Sequence, residues 1–278
     1  MILYKYSGAG NDFVVLDGRG ADVSGYRTAE RIKELCDRSS GFVASDGRVG
    51  ADGLMILSDS EEYDFRMEYF NSDGSSGMMC GNGGRCIVAF ADHVGVRPAQ
   101  GSVFVFEAAD GLHTGEIVSR EGTRVQVRLR MIDVQEFYPV LGGWFLDTGT
   151  RHFVLPVEDV ENLDVEALGK RYRWDEAFAP VGANVNFISV EREVDGSVES
   201  VKVRTFEKGV EAETLACGTG ITASAICTYL LGQYPVSASA GPVRYAMRAR
   251  RDALSVDFVP CEGAFRDVYL TGPAELIR

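Results

Sequence analysis

The chain has 278 residues and a 45% hydrophobic content, enough for one large domain or two of ordinary size with proper cores. Its 28 basic and 41 acidic residues leave a formal charge of −13, and no basic run occurs anywhere, which speaks against nucleic acid or an anionic membrane as a partner. The opening Met1-Ile2-Leu3-Tyr4-Lys5-Tyr6 lacks a charged-then-apolar signal pattern, and nothing approaches the roughly 18 apolar residues of a membrane span, so a cytoplasmic protein is expected.

In chain order, Leu3 to Tyr6 and Phe13 to Asp17 read as strands joined by a glycine loop, Ser7 to Asp12, that places Asn11 at a tight turn. Thr28 caps a helical pattern reaching Cys36. Gly50-Ala51-Asp52-Gly53 leads into an apolar strand, Leu54 to Leu57, and Phe65 to Phe70 reads as a further strand that delivers Asn71-Ser72-Asp73-Gly74-Ser75 into a loop around Cys80. After Cys80, Ile87, Phe90, Ala91 and Val94 recur at helical spacing and predict one buried face. Val103 to Phe106 is a strand, and Val125 to Met131 alternates as a half-buried strand does.

Near Asp133 to Pro139 the pattern resets. Trp144 to Val154 echoes the strand, loop and strand of residues 3–15, Val165 to Arg171 is helical, and Gly182 to Phe187 returns to strand. Val201 to Phe206 then feeds Glu207-Lys208-Gly209 and a second Cys loop, followed by a helix, Ile221 to Leu231, and a strand-rich tail. An α+β protein is expected, each half a mostly antiparallel sheet wrapped on a helix. The halves are residues 1–132, completed by the closing strand 266–278, and 133–265.

The two loops share one grammar. Ala216-Cys217-Gly218-Thr219-Gly220 repeats Met79-Cys80-Gly81-Asn82-Gly83: a Cys, then Gly-x-Gly, between a strand and a small-residue helix. A helix N-terminus leaves N–H groups without internal partners and carries partial positive charge, so it binds carboxylates and favours a thiolate. Two such units facing one another would surround a small anionic ligand with two thiols, a base on one face of a carbon and an acid on the other. That chemistry inverts a stereocentre and requires no cofactor. The other cysteines, Cys36, Cys86, Cys227 and Cys261, lie in no paired spacing; Cys36, Cys86 and Cys227 fall in helical patterns and read as buried small hydrophobes. Three scattered histidines, His93, His113 and His152, make no metal site.

These motifs, with Glu213-Thr214-Leu215 before the second one, closely resemble diaminopimelate epimerase, and the resemblance runs nearly end to end. It takes in Gly8 to Phe13, Gly50 to Gly53, Ala183-Asn184-Val185 and Leu270 to Ala274. It implies two pseudo-symmetric domains with the ligand in the cleft between them, and a cofactor-independent, metal-free epimerase interconverting LL- and meso-diaminopimelate. On that resemblance Cys80 and Cys217 are the acid/base pair, and Gly81, Asn82, Gly218 and Thr219 offer backbone N–H groups to the carboxylate on the reacting carbon. Asn11, Asn71, Asn184, Glu207 and Lys208 match positions that bind the rest of the substrate, and Thr150 and His152 match a loop beside the catalytic site.

The sequence departs from the family pattern at Lys208, where Arg is usual, at Thr150, where many members have Asn, and at Arg151, where Pro is usual. The stretch Gly209 to Thr214 is one residue longer than the commonest spacing. Lys offers a point charge where Arg grips a carboxylate with two bonds. A racemase or epimerase of another amino acid on the same scaffold is the alternative. The expected partner is a small amino-acid substrate, and a homodimer is compatible with this reading.

Overall fold

A computed structural model describes residues 1–77, 80–233 and 241–277; Met79 of the first Cys motif and Arg278 of the closing strand lie outside the described residues. Contacts divide the chain into two units, Met1–Leu129 with Gly272–Arg278, and Arg130–Thr271.

The first unit begins with β1 (Leu3–Gly8) and β2 (Asn11–Asp17), paired from Leu3↔Leu16 to Gly8↔Asn11. The expected six-residue loop contracts to a two-residue turn because Ala9 and Gly10 both take positive φ, 48° and 112°, the geometry that matches the twist of the flanking strands. Helix α1 (Ala29–Cys36), capped by Thr28, lies between β2 and its parallel neighbour β3 (Gly53–Ser58). Strand β4 (Phe65–Asn71) pairs with β3, and α2 (Gly81–His93) connects β4 to the parallel β5 (Val103–Ala108). Antiparallel β6 (Gly111–Glu121) and β7 (Arg124–Arg130) follow. Sequence reading passed over β6 because it is largely exposed and shows no alternation. The last strand, introduced below, pairs with both β7 and β1, so the sheet of this unit closes on itself around α2.

The second unit repeats the plan pairing for pairing. Strands β8 (Phe137–Val140), β9 (Gly143–Asp147) and β10 (Arg151–Pro156) are successive antiparallel neighbours. Helix α3 (Val165–Arg173) leads to β11 (Asn184–Arg192), parallel to β10. Antiparallel β12 (Val198–Glu207) carries the short β13 (Ala212–Thr214), after which α4 (Gly218–Gln233) crosses to β14 (Val243–Arg248), parallel to β12. Strands β15 (Ala253–Cys261) and β16 (Ala264–Ile277) complete the set. A bridge between Val134 and Phe265 ties the segment entering β8 to the far edge. β9, β10, α3, β11, β12, α4, β14 and β15 thus stand where β1, β2, α1, β3, β4, α2, β5 and β6 stand in the first unit.

The two central helices are buried far beyond the single face that spacing predicts. Every residue of α2 from Gly81 to Ala91 is buried, and so is α4 from Gly220 to Leu230. A helix ringed by sheet must satisfy each polar group internally. In α4 the hydroxyls of Thr222, Ser224 and Thr228 donate to the carbonyls of Gly218, Gly220 and Ser224, one turn back, at 3.0, 2.7 and 2.9 Å. Among the described residues no helix is long and apolar enough to cross a membrane.

One charged cluster braces the first hairpin. Lys5, wholly buried, lies 2.8 Å from the Asp12 carboxylate, which also receives Arg38 on both oxygens at 3.0 and 2.7 Å. Burial alone would raise the Asp12 carboxyl, but the hydrogen bonds and charges of Arg38 and Lys5 outweigh it and hold the group below its usual range. The folded chain therefore binds fewer protons here than the unfolded chain, so this stabilisation is present above the ordinary carboxylate pKa of about 3.9 and is lost as pH falls through the lower folded value. Asp12→Asn should cost about 3 kcal/mol near neutral pH. Denaturant titrations should show that deficit shrinking in acid, where wild type is protonated as well.

Candidate active site

Strand β4 hands the chain to a loop held by its own bonds: Asn71 N–H donates to Ser75 O at 2.9 Å, Asn71 Nδ2 to Ser75 Oγ at 3.0 Å, and Ser75 Oγ to Asp73 Oδ1 at 2.6 Å. Beyond it Cys80 takes extended φ and ψ, −111° and 156°, as the N-cap of α2, and its sulfur accepts the Gly83 N–H at 3.3 Å. The thiol is exposed, whereas Gly81, Asn82 and Gly83 are buried behind it.

Arg85, one turn into the helix and wholly buried, sets the polar order beneath that thiol. Its guanidinium donates to Gly81 O at 3.0 Å, Asn82 Oδ1 at 2.6 Å and Pro273 O at 3.3 Å. With its oxygen taken, the Asn82 side chain points its amide nitrogen at Asn11 Oδ1, 2.7 Å away. Asn11 in turn donates to Asp52 Oδ2 at 2.9 Å. The structure brings Asn11 and Asn82 together, and each spends one amide proton and one oxygen lone pair on neighbours other than a ligand.

In the second unit Cys217 is half-buried and precedes the first residue of α4. Its sulfur lies 3.4 Å from Thr219 Oγ1. That hydroxyl is 2.9 Å from His152 Nε2 and 3.1 Å from Thr150 Oγ1, and Thr150 Oγ1 is itself 2.9 Å from His152 Nε2. Thr148 pins the same turn by donating to Thr219 O at 3.0 Å. The loop histidine implied by the family resemblance is instead a strand residue of β10, fully buried. On its other side Asn186 Nδ2 meets Nδ1 at 2.9 Å. Burial pushes His152 from 6.5 down to about 3, so the ring is neutral.

Asn184 is buried on β11, its oxygen accepting the Lys208 N–H at 2.8 Å and its nitrogen donating to Arg151 O at 3.1 Å. It thereby shapes the chain around Glu207 and Lys208 rather than standing free. Burial raises the Glu207 carboxyl, with the Thr214 hydroxyl pulling the other way, while the Lys208 side chain is exposed. Among the cysteines, burial pushes the Cys36 thiol up to about 11 and those of Cys86 and Cys227 higher still. The exposed Cys80 and half-buried Cys217 differ from these three.

Sequence reasoning missed Arg85, Asp52 and Asn186. A signal existed for two of them: Arg85 lies three residues beyond Asn82 on one helix face, and Asn186 shares the strand face of Asn184.

Acid should act on the His152 cluster. The unfolded chain takes up a proton near 6.5 that the folded chain refuses down to about 3, so the stability contributed by the buried neutral ring is complete above 6.5 and declines below it. Between pH 8 and pH 5 wild type should lose about 2 kcal/mol more than His152→Gln, measured by denaturant titration of both proteins.

Comparison with known proteins bears on this geometry. A family model described as diaminopimelate epimerase matches residues 3–129 and 144–258. The chain is 39% identical over 276 residues to a diaminopimelate epimerase of Chlorobaculum tepidum, covering 98% of this chain and 97% of that protein. It is 39% identical over 290 residues to one of Aquifex aeolicus, covering 98% and 94%. Among solved structures, a phenazine biosynthesis protein of the PhzF family from Bacillus anthracis superposes with a TM-score of 0.67 at 14% identity, covering 99% of this chain and 96% of that one. A probable proline racemase from Agrobacterium radiobacter gives 0.58 at 16% identity, covering 99% and 92%; both share the fold. With its family-model match over most of the chain and 39% identity to the two named epimerases over 98% of its length, the chain belongs to the diaminopimelate epimerase family.

Proposed function

We propose that the protein interconverts LL- and meso-diaminopimelate by two-base proton transfer at Cα, with Cys80 and Cys217 as the thiolate and thiol that exchange roles with direction. The observation that carries this reading is the equivalent station of the two cysteines: each immediately precedes a helix enclosed along most of its length, at the same step of a duplicated topology. In the forward direction the thiolate removes the α-proton from one face and the opposing thiol delivers its proton to the other. The configuration inverts, and the two sulfurs finish with their protonation states exchanged.

The α-proton of an amino acid is a weak acid, so the charge left on its removal must be held. Backbone N–H groups of Gly81 and Asn82, and of Gly218 and Thr219, lie in the first helical turns, where they bind the α-carboxylate and stabilise the enolate-like charge that develops on it. Asn11, Asn71 and Asn184 would recognise the substrate's remaining polar groups. Burial raises the Glu207 carboxyl, and a substrate ammonium beside it would favour the carboxylate form. Lys208 would meet the distal carboxylate as a single point charge. We read the enzyme as cytoplasmic and its partner as the small substrate, with a homodimer compatible and the net charge of −13 opposing a nucleic acid.

Incubation of the reduced protein with LL-diaminopimelate in D2O should give deuterium at Cα together with the meso form. Cys80→Ala and Cys217→Ala should each lose about three orders of magnitude in turnover. Absence of exchange in wild type would sink the assignment of substrate. Exchange with a monocarboxylic amino acid instead would point to another epimerase on this scaffold, its distal end not gripped by Lys208.

A further inference from the structure

We propose that Asn186 is a positioning residue that fixes the His152 tautomer and so aims the Thr219 hydroxyl proton at the Cys217 sulfur. The proposal rests on the reading of Cys217 as an acid/base residue, and the geometry lies wholly within the second unit.

The orientation of Asn186 is set from three sides. Its oxygen accepts from Thr205 Oγ1 at 2.9 Å, and its nitrogen lies 3.4 Å from Phe153 O, which can only accept. The side chain is fully buried, and the first turn of α4 packs on it so closely that a Cβ on Gly220 would fall 2.3 Å from Asn186 Oδ1. Turning the amide over would set its oxygen against the Phe153 carbonyl, so the group facing His152 Nδ1 at 2.9 Å is the nitrogen, a donor. Nδ1 must accept, which leaves the single proton of the neutral ring on Nε2.

From Nε2 the order propagates outward. The ring proton goes to Thr150 Oγ1 or Thr219 Oγ1, each 2.9 Å away, and Thr150 in the first case passes its own proton to Thr219 at 3.1 Å. By either route Thr219 Oγ1 is an acceptor toward the ring, and its own proton remains for Cys217 Sγ at 3.4 Å. Once the sulfur is a thiolate, that bond is charge-assisted and outweighs donation to a neutral hydroxyl. Thr148, donating to Thr219 O at 3.0 Å, holds the turn in place. With the opposite tautomer Nε2 would accept through its single lone pair, and Thr219 would compete with Thr150 to donate there instead of to the sulfur.

The test reads the ring and the thiol without any substrate, so its failure is distinguishable from failure of the proposed reaction. The full chain, labelled with 15N at its three histidines, gives the tautomer directly, with His152 assigned by its loss in His152→Gln. The expected result is protonated Nε2 and acceptor Nδ1 in wild type. Asn186→Asp, which places an acceptor opposite Nδ1, should convert the ring to the Nδ1–H form. In a Cys80→Ala background, alkylation of Cys217 by iodoacetamide near neutral pH should slow about tenfold in Thr219→Val and in Asn186→Asp, and remain within about twofold in Thr219→Ser. An Nδ1–H ring in wild type, or alkylation of Thr219→Val at the parent rate, would overturn the proposal. The wild-type spectrum and the Thr219 pair decide the matter even if Asn186→Asp fails to fold.

Discussion

Everything in each unit depends on enclosing a helix on all sides. A helix that presents one face to a core can leave its polar residues in water, but α2 and α4 have no wet face along most of their length. Backbone groups satisfy one another except at the two ends, and at the first turn the free groups are N–H donors that point out of the helix. The enclosed helix is therefore inert along its body and reactive at one end. Both sequence motifs put a cysteine at that end, so the core and the candidate site are parts of a single object.

The two units reach the same plan with different polar chemistry. Beneath Cys80 the order begins at a buried cation, Arg85, and passes through two amides to the Asp52 carboxylate. Behind Cys217 it begins at uncharged groups, Thr205 and Asn186, and passes through a neutral imidazole to a hydroxyl. Two thiols equal in topology thus have unequal surroundings. An epimerase substrate is unequal in the same sense, since the two faces of its reacting carbon lead to different products.

Much of this was legible in the sequence where one local signal decides the outcome. The Cys-Gly-x-Gly repeats marked the helix starts, Thr28 marked its cap, and the alternation of Val125 to Met131 marked β7. What stayed hidden depends on partners far along the chain. Strand β6 is solvated and carries no periodic pattern, and the all-round burial of α2 follows from ring closure by residues beyond 271. The family resemblance alone puts His152 in a loop, yet pairing with Leu146 and Asn184 places it in a strand. The amide order around Asn11 and Asn186 cannot be read from residue types at all, since an Asn can turn either way until a buried neighbour chooses.

Strand β16 carries a consequence for how the chain acquires its shape. Its first part, to Thr271, pairs with β15, and the part from Gly272 closes the sheet that β1 begins. During synthesis the second unit is a continuous stretch that can fold as it emerges, whereas the first waits for its final strand with the sheet edges at β1 and β7 unpaired. Of the two units, the one that comes earlier in the chain is thus completed later. The contact of Lys5 with Ile277 spans nearly the whole chain, the kind of distant closure that makes folding slow and leaves an open edge exposed to other chains in the meantime.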